Sequence, residues 1–135
     1  MELSVYNRWG VKVFTTNDKH QGWDGTFNGS PQQAAEFVKL GFCLGFGGTA
    51  TFPQAQRIRS LLRAIPLEAI VIETDSPDLP PAFLGTMGSS MRNSPVHLPA
   101  IGAVLALERG EPPASFAAAT TANVRRVLGI GESHR

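Results

Sequence analysis

The sequence predicts an α/β fold in which parallel βαβ units with flanking helices follow an N-terminal β-hairpin. Residues 1–26 carry alternating apolar and polar side chains without a helical period, which is typical of strands. From residue 30 onward, short apolar runs alternate with segments whose apolar residues recur every three or four positions. The chain has 135 residues, the size of one domain or of two very small ones.

The composition narrows the class of protein. With 42% apolar and 17% charged residues, the chain is globular rather than disordered. A net charge of +1 argues against a broad electrostatic surface for nucleic acid or membrane, and leaves local phosphate contacts open. No apolar run is long enough to span a bilayer, and the first ten residues lack a signal-peptide core. The lack of such a run predicts no membrane partner. The single cysteine, Cys43, cannot form an internal disulfide, so nothing indicates an oxidising compartment and we expect a cytoplasmic protein.

The first predicted element is the hairpin. Residues 3–6 and 11–14 alternate between apolar and polar side chains, and residues 7–10 between them have turn chemistry. We therefore expect two antiparallel strands within residues 1–26, which form the first of three predicted segments. The second segment is 27–130, and residues 131–135 are a tail.

A helix and a buried strand follow the hairpin. Ser30 can accept a hydrogen bond from an amide of the first helical turn, and Pro31 suits the first helical position. Gly41 is placed as the glycine that ends this helix. The apolar run 42–46 predicts a buried strand.

The next segment predicts a parallel βαβ unit. Thr51 repeats the capping pattern and opens a second helix, which Pro66 stops. Residues 69–72 are apolar and mostly β-branched, as in a strand that is buried on both faces. Strand, helix and strand at this separation form a parallel, right-handed unit.

Three glycines lie in and just after the first strand of this unit: Gly45, Gly47 and Gly48. They are not followed by the Gly-Lys-Ser/Thr of a phosphate-binding loop. We interpret them as positions of tight packing, where another part of the backbone approaches closely.

A long loop and more helices complete the prediction. Residues 75–93 are rich in proline, glycine and serine, and loops of this length are often functional. Ser94 and Pro95 open a helix that Gly110 ends. Residues 115–119 and 122–128 predict two short helices, the second capped by Thr120 or Thr121.

Asp75 is the strongest candidate for chemistry. It follows the predicted strand 69–72 directly, and ligands collect at the carboxyl ends of parallel strands. A carboxylate there can bind a hard cation or take a proton from water, although Asp-Ser-Pro is also good turn chemistry. Glu73 shares its face of the strand and either supports Asp75 or pairs with an arginine.

Arg92 and Asn93 lie at the mouth of the next helix. Arg92 can form a forked contact to a phosphate or a carboxylate, and Asn93 can cap the helix. A solvated arginine beside an ordinary cap explains the same residues. The three histidines have no metal-ligand spacing, so His97 is expected to be a solvated side chain.

Six motifs stand in a fixed order over residues 27–130. They are Phe27-Asn28-Gly29-Ser30, Leu40-Gly41-Phe42-Cys43-Leu44-Gly45-Phe46-Gly47-Gly48, Ile65-Pro66-Leu67-Glu68, Glu73-Thr74-Asp75-Ser76-Pro77, Arg92-Asn93-Ser94-Pro95 and Thr120-Thr121-Ala122-Asn123. In this order they resemble the TatD-family metal-dependent hydrolases. The resemblance implies the C-terminal part of a TIM barrel, divalent metal ions such as Mg, Mn or Zn, and deoxyribonuclease activity with DNA as substrate.

The resemblance also implies roles for individual residues. Asp75 corresponds to the aspartate of the last strand, which is a metal ligand that helps to activate the attacking water. Beside it, the chemistry of Glu73, Arg92 and Asn93 makes them candidates to support this centre or to contact substrate. The His-x-His pair of the family's first strand is not in this sequence, and Gly25 stands where a further histidine is expected. We therefore expect little activity from this chain alone.

Residues 3–29 show a different resemblance. The motifs Val5-Tyr6-Asn7-Arg8-Trp9-Gly10 and Trp23-Asp24-Gly25 are similar to a C-terminal β-sandwich domain associated with gliding motility and protein sorting. This resemblance implies an adhesion fragment linked to secretion as one alternative function. Another alternative is a non-catalytic structural or binding module, which would self-associate through exposed sheet edges.

Overall fold

The computed structural model describes residues 3–6, 12–16, 31–85 and 92–131 of the chain. Their helices and strands are, in chain order, β1 (Leu3–Tyr6), β2 (Lys12–Thr16), α1 (Pro31–Lys39), β3 (Leu44–Phe46), α2 (Gln56–Ala64), β4 (Ile70–Ile72), α3 (Leu98–Arg109) and α4 (Pro113–Leu128). Short 3-10 turns cover Gly48–Thr51, Leu67–Ala69, Ala82–Leu84 and Pro95–His97. Within these ranges, no helix is both long and apolar enough to cross a bilayer.

Strands β1 and β2 pair antiparallel, with an irregularity in register between Val5 and Tyr6. The turn predicted at residues 7–10 lies outside the described residues, as do the Ser30 cap and residues 132–135 of the tail. The hairpin as a whole therefore stays a prediction.

Strands β3 and β4 pair parallel in the register Leu44↔Ile70, Gly45↔Val71 and Phe46↔Ile72. The chain between them passes through α2, so the predicted parallel βαβ arrangement is confirmed. Both strands are shorter than the apolar runs that predicted them. Helix α2 ends at Ala64, before Pro66, because proline cannot continue the ladder of amide hydrogen bonds.

One apolar cluster holds the helices to the two parallel strands. Its buried members are Ala34, Leu44, Phe46, Ala50, Leu61, Leu62, Ile65, Ala69, Ile70, Ile101, Leu105, Ala106 and Phe116. Every helix of the described ranges contributes at least one side chain to this cluster, so α1 to α4 share a single core with β3 and β4.

Polar contacts also connect the helices. Glu108 on α3 forms ion pairs with both Arg59 and Arg63 on α2. Arg109 donates a hydrogen bond to the Ile65 carbonyl at 2.8 Å. On α4, buried Asn123 donates to the Leu67 and Ile70 carbonyls, each at 2.8 Å, and so ties this helix to the strand that precedes the candidate site.

The expected cap at Thr51 is wrong. Helix α2 begins only at Gln56, with Ala55 as its N-cap. Thr51 ends the preceding 3-10 turn, where its hydroxyl donates to the Gly48 carbonyl at 2.6 Å and accepts from the Ala82 amide at 2.8 Å. The hydroxyl therefore serves a contact between loops rather than a helix start.

The prediction of two short helices near the end of the chain is also wrong, because α4 is continuous. Thr120 is buried in its middle, and its hydroxyl donates to the Phe116 carbonyl one turn earlier at 3.0 Å. This backbone partner within the helix removes the need for a cap. The predicted stop at Gly110 is confirmed, since this residue follows α3 with a left-handed φ of 73°.

Candidate active site

The candidate site lies where β4 ends. The ladder with β3 continues one residue beyond the strand, since the Glu73 amide donates to the Phe46 carbonyl at 3.1 Å. Asp75 follows two residues later with φ of 53°, a left-handed conformation that aspartate adopts more readily than most residues. Both carboxylates therefore leave the chain at the carboxyl end of a parallel strand, as the sequence predicts.

The two carboxylates lie over glycines of the neighbouring strand. A methyl group built on Gly45 would lie 2.8 Å from both carboxylate oxygens of Glu73. One built on Gly47 would lie 3.0 Å from Asp75 Oδ2 and 3.3 Å from Glu73 Cγ. A side chain at either position would press on these acids, so the prediction of close packing at Gly45 and Gly47 is confirmed.

The position of Glu73 changes its titration. Although part of the side chain is open to solvent, partial burial of the carboxylate raises the pKa of Glu73 above its ordinary value of 4.5, and the nearby charge of Asp75 raises it further. Glu73 thus holds its proton to higher pH than a free glutamate, which reduces its repulsion with Asp75.

We expect this raised pKa to appear as a pH dependence of stability. Between 4.5 and the higher pKa of the folded state, folded Glu73 binds a proton that the unfolded chain has released. Lowering the pH through this window should therefore stabilise the wild type relative to Glu73→Gln, and raising it should reverse the gain. Urea-unfolding midpoints of both proteins at about pH 4 and about pH 7 measure this difference.

A second pair of variants separates the two causes of the raised pKa of Glu73, which are burial and the charge of Asp75. Burial is the larger cause, so the same comparison in an Asp75→Asn background should show a smaller but persistent pH dependence. A difference between the midpoints that does not change with pH would contradict the raised pKa.

Asn93 lies beneath the loop that carries Asp75 and is only 4% exposed. Its side-chain amide donates to the carbonyls of Thr74, Asp78 and Leu79, the last two at 2.9 and 3.3 Å. The alternative that Asn93 caps the helix is wrong. Ser94 is the N-cap of the 3-10 turn Pro95–His97 that leads into α3, as the prediction that Ser94 and Pro95 open this segment expects, and its hydroxyl accepts from the Val96 amide.

His97 belongs to the same cluster and is not the freely solvated side chain that was expected. Its Nδ1 lies 3.2 Å from the Ser94 amide nitrogen and 3.1 Å from Asn93 Oδ1. The ring also forms an edge contact with Phe83, with centroids 6.3 Å apart. Arg92 is exposed at the start of this segment.

The same loop is fixed at a second place. A methyl group on Gly48 would lie 2.6 Å from the Leu79 carbonyl oxygen, so the loop backbone packs directly on this glycine. The Ala82 amide donates to Thr51 nearby. Loop residues 74–82 are therefore seated on the end of β3 and on the residues before α3.

The side chains at this site offer only part of the ligand set that a divalent metal, as implied by the resemblance, would need. Carboxylate oxygens are the ligands that hard cations prefer, and Glu73 and Asp75 offer them. In the parts of the chain that the structure describes, however, no group of three or more His, Cys, Asp or Glu side chains could hold a metal ion. These residues alone do not fit a complete metal centre.

The fold and the site together define an α/β protein with a carboxylate site at the carboxyl end of parallel strands. A sequence profile of the family described as TatD related DNase matches residues 15–129. The chain belongs to this family, which confirms the resemblance of residues 27–130.

Relatives with curated descriptions agree with this assignment. An uncharacterized metal-dependent hydrolase of Escherichia coli K12, YjjV, is 38% identical over 104 residues, which is 77% of this chain and 39% of the relative. The 3'-5' ssDNA/RNA exonuclease TatD of the same organism is 40% identical over 105 residues, which is 77% of this chain and 40% of the relative. The chain thus spans about two fifths of the length of these relatives.

Solved structures resemble the chain as well. The crystal structure of the TatD homologue YjjV from Escherichia coli matches with a TM-score of 0.62 and 36% identity, over 71% of this chain and 36% of that one. A TatD-family hydrolase from Entamoeba histolytica matches with a TM-score of 0.57 and 16% identity, over 72% of this chain and 38% of that one. The latter likeness concerns the fold alone.

Proposed function

We propose that this chain contributes the Asp75 carboxylate to a TatD-type site that hydrolyses phosphodiester bonds of DNA or RNA. The observation that supports the proposal is the placement of Glu73 and Asp75 at the carboxyl end of β4, over Gly45 and Gly47, in a chain of a nuclease family. Relatives named as ssDNA/RNA exonucleases favour single-stranded nucleic acid as the substrate.

Each residue has a distinct proposed role. Asp75 is exposed at the strand end and would be one ligand of a divalent cation (Mg, Mn or Zn), which would supply an activated water when bound. Glu73 lies two residues before Asp75 and supports it. Because the pKa of Glu73 is raised, Glu73 carries less negative charge beside the Asp75 carboxylate. Arg92 is exposed and offers a forked contact to a substrate phosphate.

A complete centre needs ligands beyond these residues. We propose that parts of the barrel outside the matched region supply them, and that residues 27–130 form the C-terminal part of this barrel. The family match begins at residue 15, inside the predicted hairpin segment, so the boundary at 26/27 stays a prediction. The likeness of residues 3–29 to a gliding-motility domain falls largely outside the described residues and also stays a prediction.

The test is a single-chain chimera in which residues 31–130 replace the aligned part of the Escherichia coli exonuclease TatD. We expect it to hydrolyse a labelled single-stranded oligonucleotide with Mg²⁺ or Mn²⁺, and we expect Asp75→Asn to lower kcat by about a hundredfold or more. Asparagine has the same shape and tolerates the left-handed φ of Asp75, so the backbone should persist.

A matched control comes from the same loop. Asp78 is an exposed acid three residues further along, so Asp78→Asn changes the net charge equally and should leave kcat nearly unchanged. A folded chimera with no hydrolysis, or an equal loss in both variants, would contradict the proposed role of Asp75.

The structure favours one second candidate, a non-catalytic module that associates through its sheet. Among the described residues, β3 and β4 pair only with each other, so each strand has an edge without a hydrogen-bonded neighbour. Such edges accept further strands. Light scattering of the purified chain should then show a mass that rises with concentration, whereas a constant monomer mass would exclude this candidate.

A further inference from the structure

Asn93 connects the loop around Asp75 to the residues that precede α3. We propose that Asn93 is a positioning residue, whose side-chain amide holds the backbone of residues 74–79 in the conformation that sets the Asp75 carboxylate at the end of β4. The importance of this position for catalysis rests on the function proposed for Asp75.

The first argument is the number of loop carbonyls that Asn93 binds. Its side-chain nitrogen donates to Thr74, just before Asp75, and to Asp78 and Leu79, just after it. Its backbone amide donates to the Pro77 carbonyl at 3.0 Å. Asn93 therefore holds the loop on both sides of Asp75.

The second argument is that the loop has few hydrogen bonds of its own to hold a strained backbone. A left-handed φ is unfavourable for residues other than glycine, and Asp75 has φ of 53°. Within the loop, the Asp78 amide donates to the Asp75 carbonyl at 2.9 Å, and the Ser76 hydroxyl and amide donate to the Thr74 hydroxyl at 3.0 and 3.4 Å. Because each such bond contributes only about 0.5–1.5 kcal/mol, we expect partners outside the loop to be needed to keep a single conformation.

The third argument is that Asn93 itself is fixed. Its Oδ1 accepts from the Ser94 amide at 2.9 Å and lies 3.1 Å from His97 Nδ1. The reverse orientation of the amide would place Oδ1 against three carbonyl oxygens, which repel it. The side chain is buried, so no water can substitute for it easily.

Asn93→Asp is the sharpest test, because it keeps the shape and Oδ1 but replaces the amide donor by an anion. Hydrogen exchange of the full chain is measured at the Asp78 amide. We expect exchange in Asn93→Asp to be faster by about tenfold or more, with amides in the middle of α3 unchanged relative to wild type. Equal exchange at Asp78 in the variant and the wild type would overturn the proposal.

Ser94→Ala is the matched control. It removes the hydroxyl that accepts from the Val96 amide and leaves every contact from Asn93 to the loop in place. Exchange should rise at the start of the helical segment and not at Asp78. An equal rise at Asp78 in both variants would show a general loosening and also overturn the proposal. If Asn93→Asp does not fold, Asn93→Ser is measured, since it removes the donor without adding charge.

The chimera described above supplies the kinetic readout. We expect Asn93→Asp to lower kcat at least about tenfold while KM changes less than about threefold, because the substrate-binding groups stay in place. In an Asp75→Asn background, Asn93→Asp should have little further effect on kcat. A chimera that is inactive with wild-type Asn93 contradicts the proposed function, whereas the exchange measurement still decides the role of Asn93.

Discussion

Replacement of Phe116 by alanine is expected to lower the free energy of unfolding by about 3–5 kcal/mol. Phe116 on α4 has no exposed surface and belongs to the apolar cluster that includes Ile70 of β4 and Leu105 of α3. Its truncation removes apolar burial and leaves a cavity between these elements. Urea unfolding followed by circular dichroism measures the loss.

Val127→Ala is the control on the same helix. Val127 is 56% exposed, so its truncation should change the free energy of unfolding by no more than about 0.5 kcal/mol. If Phe116→Ala is too unstable to purify, Phe116→Leu should show a smaller loss in the same direction. Similar values for Phe116→Ala and Val127→Ala would mean that α4 is not packed as described.

Gly48→Ala is expected to lower the free energy of unfolding by about 1–3 kcal/mol and to release the loop around Asp75. The added methyl group would lie 2.6 Å from the Leu79 carbonyl oxygen and 3.1 Å from the Pro81 nitrogen. Both are backbone atoms, so relief requires the loop itself to move. Urea unfolding and proteolysis within residues 74–85 measure the two effects.

Gly45→Ala is the matched control for Gly48→Ala. Its methyl group would meet the Glu73 carboxylate at 2.8 Å, and this end of a flexible side chain can move aside. We expect a loss of no more than about 0.5 kcal/mol and no new proteolysis of the loop. Equal losses in the two variants would contradict the packing of the loop on Gly48.

Much of the fold follows from local sequence signals. The β-branched run before Asp75 predicts β4, Pro66 predicts the end of α2, and Gly110 predicts the end of α3, because each acts through its own backbone geometry. Thr120 gives a wrong prediction because a local signal does not report the position of the residue in the fold. Threonine is a good cap in isolation, but here it is buried in the middle of α4 with a carbonyl one turn earlier as its partner.

The candidate site is predictable only in part. Asp75 can be placed at a strand end because that placement depends on adjacent residues. The contacts of Asn93 with Thr74 and of Gly45 with Glu73 join residues 19 and 28 positions apart, and no local pattern encodes them. The contacts of His97 also depend on the fold. An isolated histidine in the first turn of a helix has no distinctive spacing, so the sequence does not predict them.

The parallel pairing of β3 with β4 has a consequence for how the chain folds. Leu44 pairs with Ile70 across 26 positions, so the intervening segment must close into a loop before any ladder bond forms. Helices α3 and α4 are joined by residues 110–112 alone, so their contacts near this connection span a shorter stretch of chain. Since non-local pairing slows folding, we expect the helical pair to assemble early and the two strands to join late. The left-handed turn at Asp75 would then be among the last parts of the molecule to acquire its native geometry.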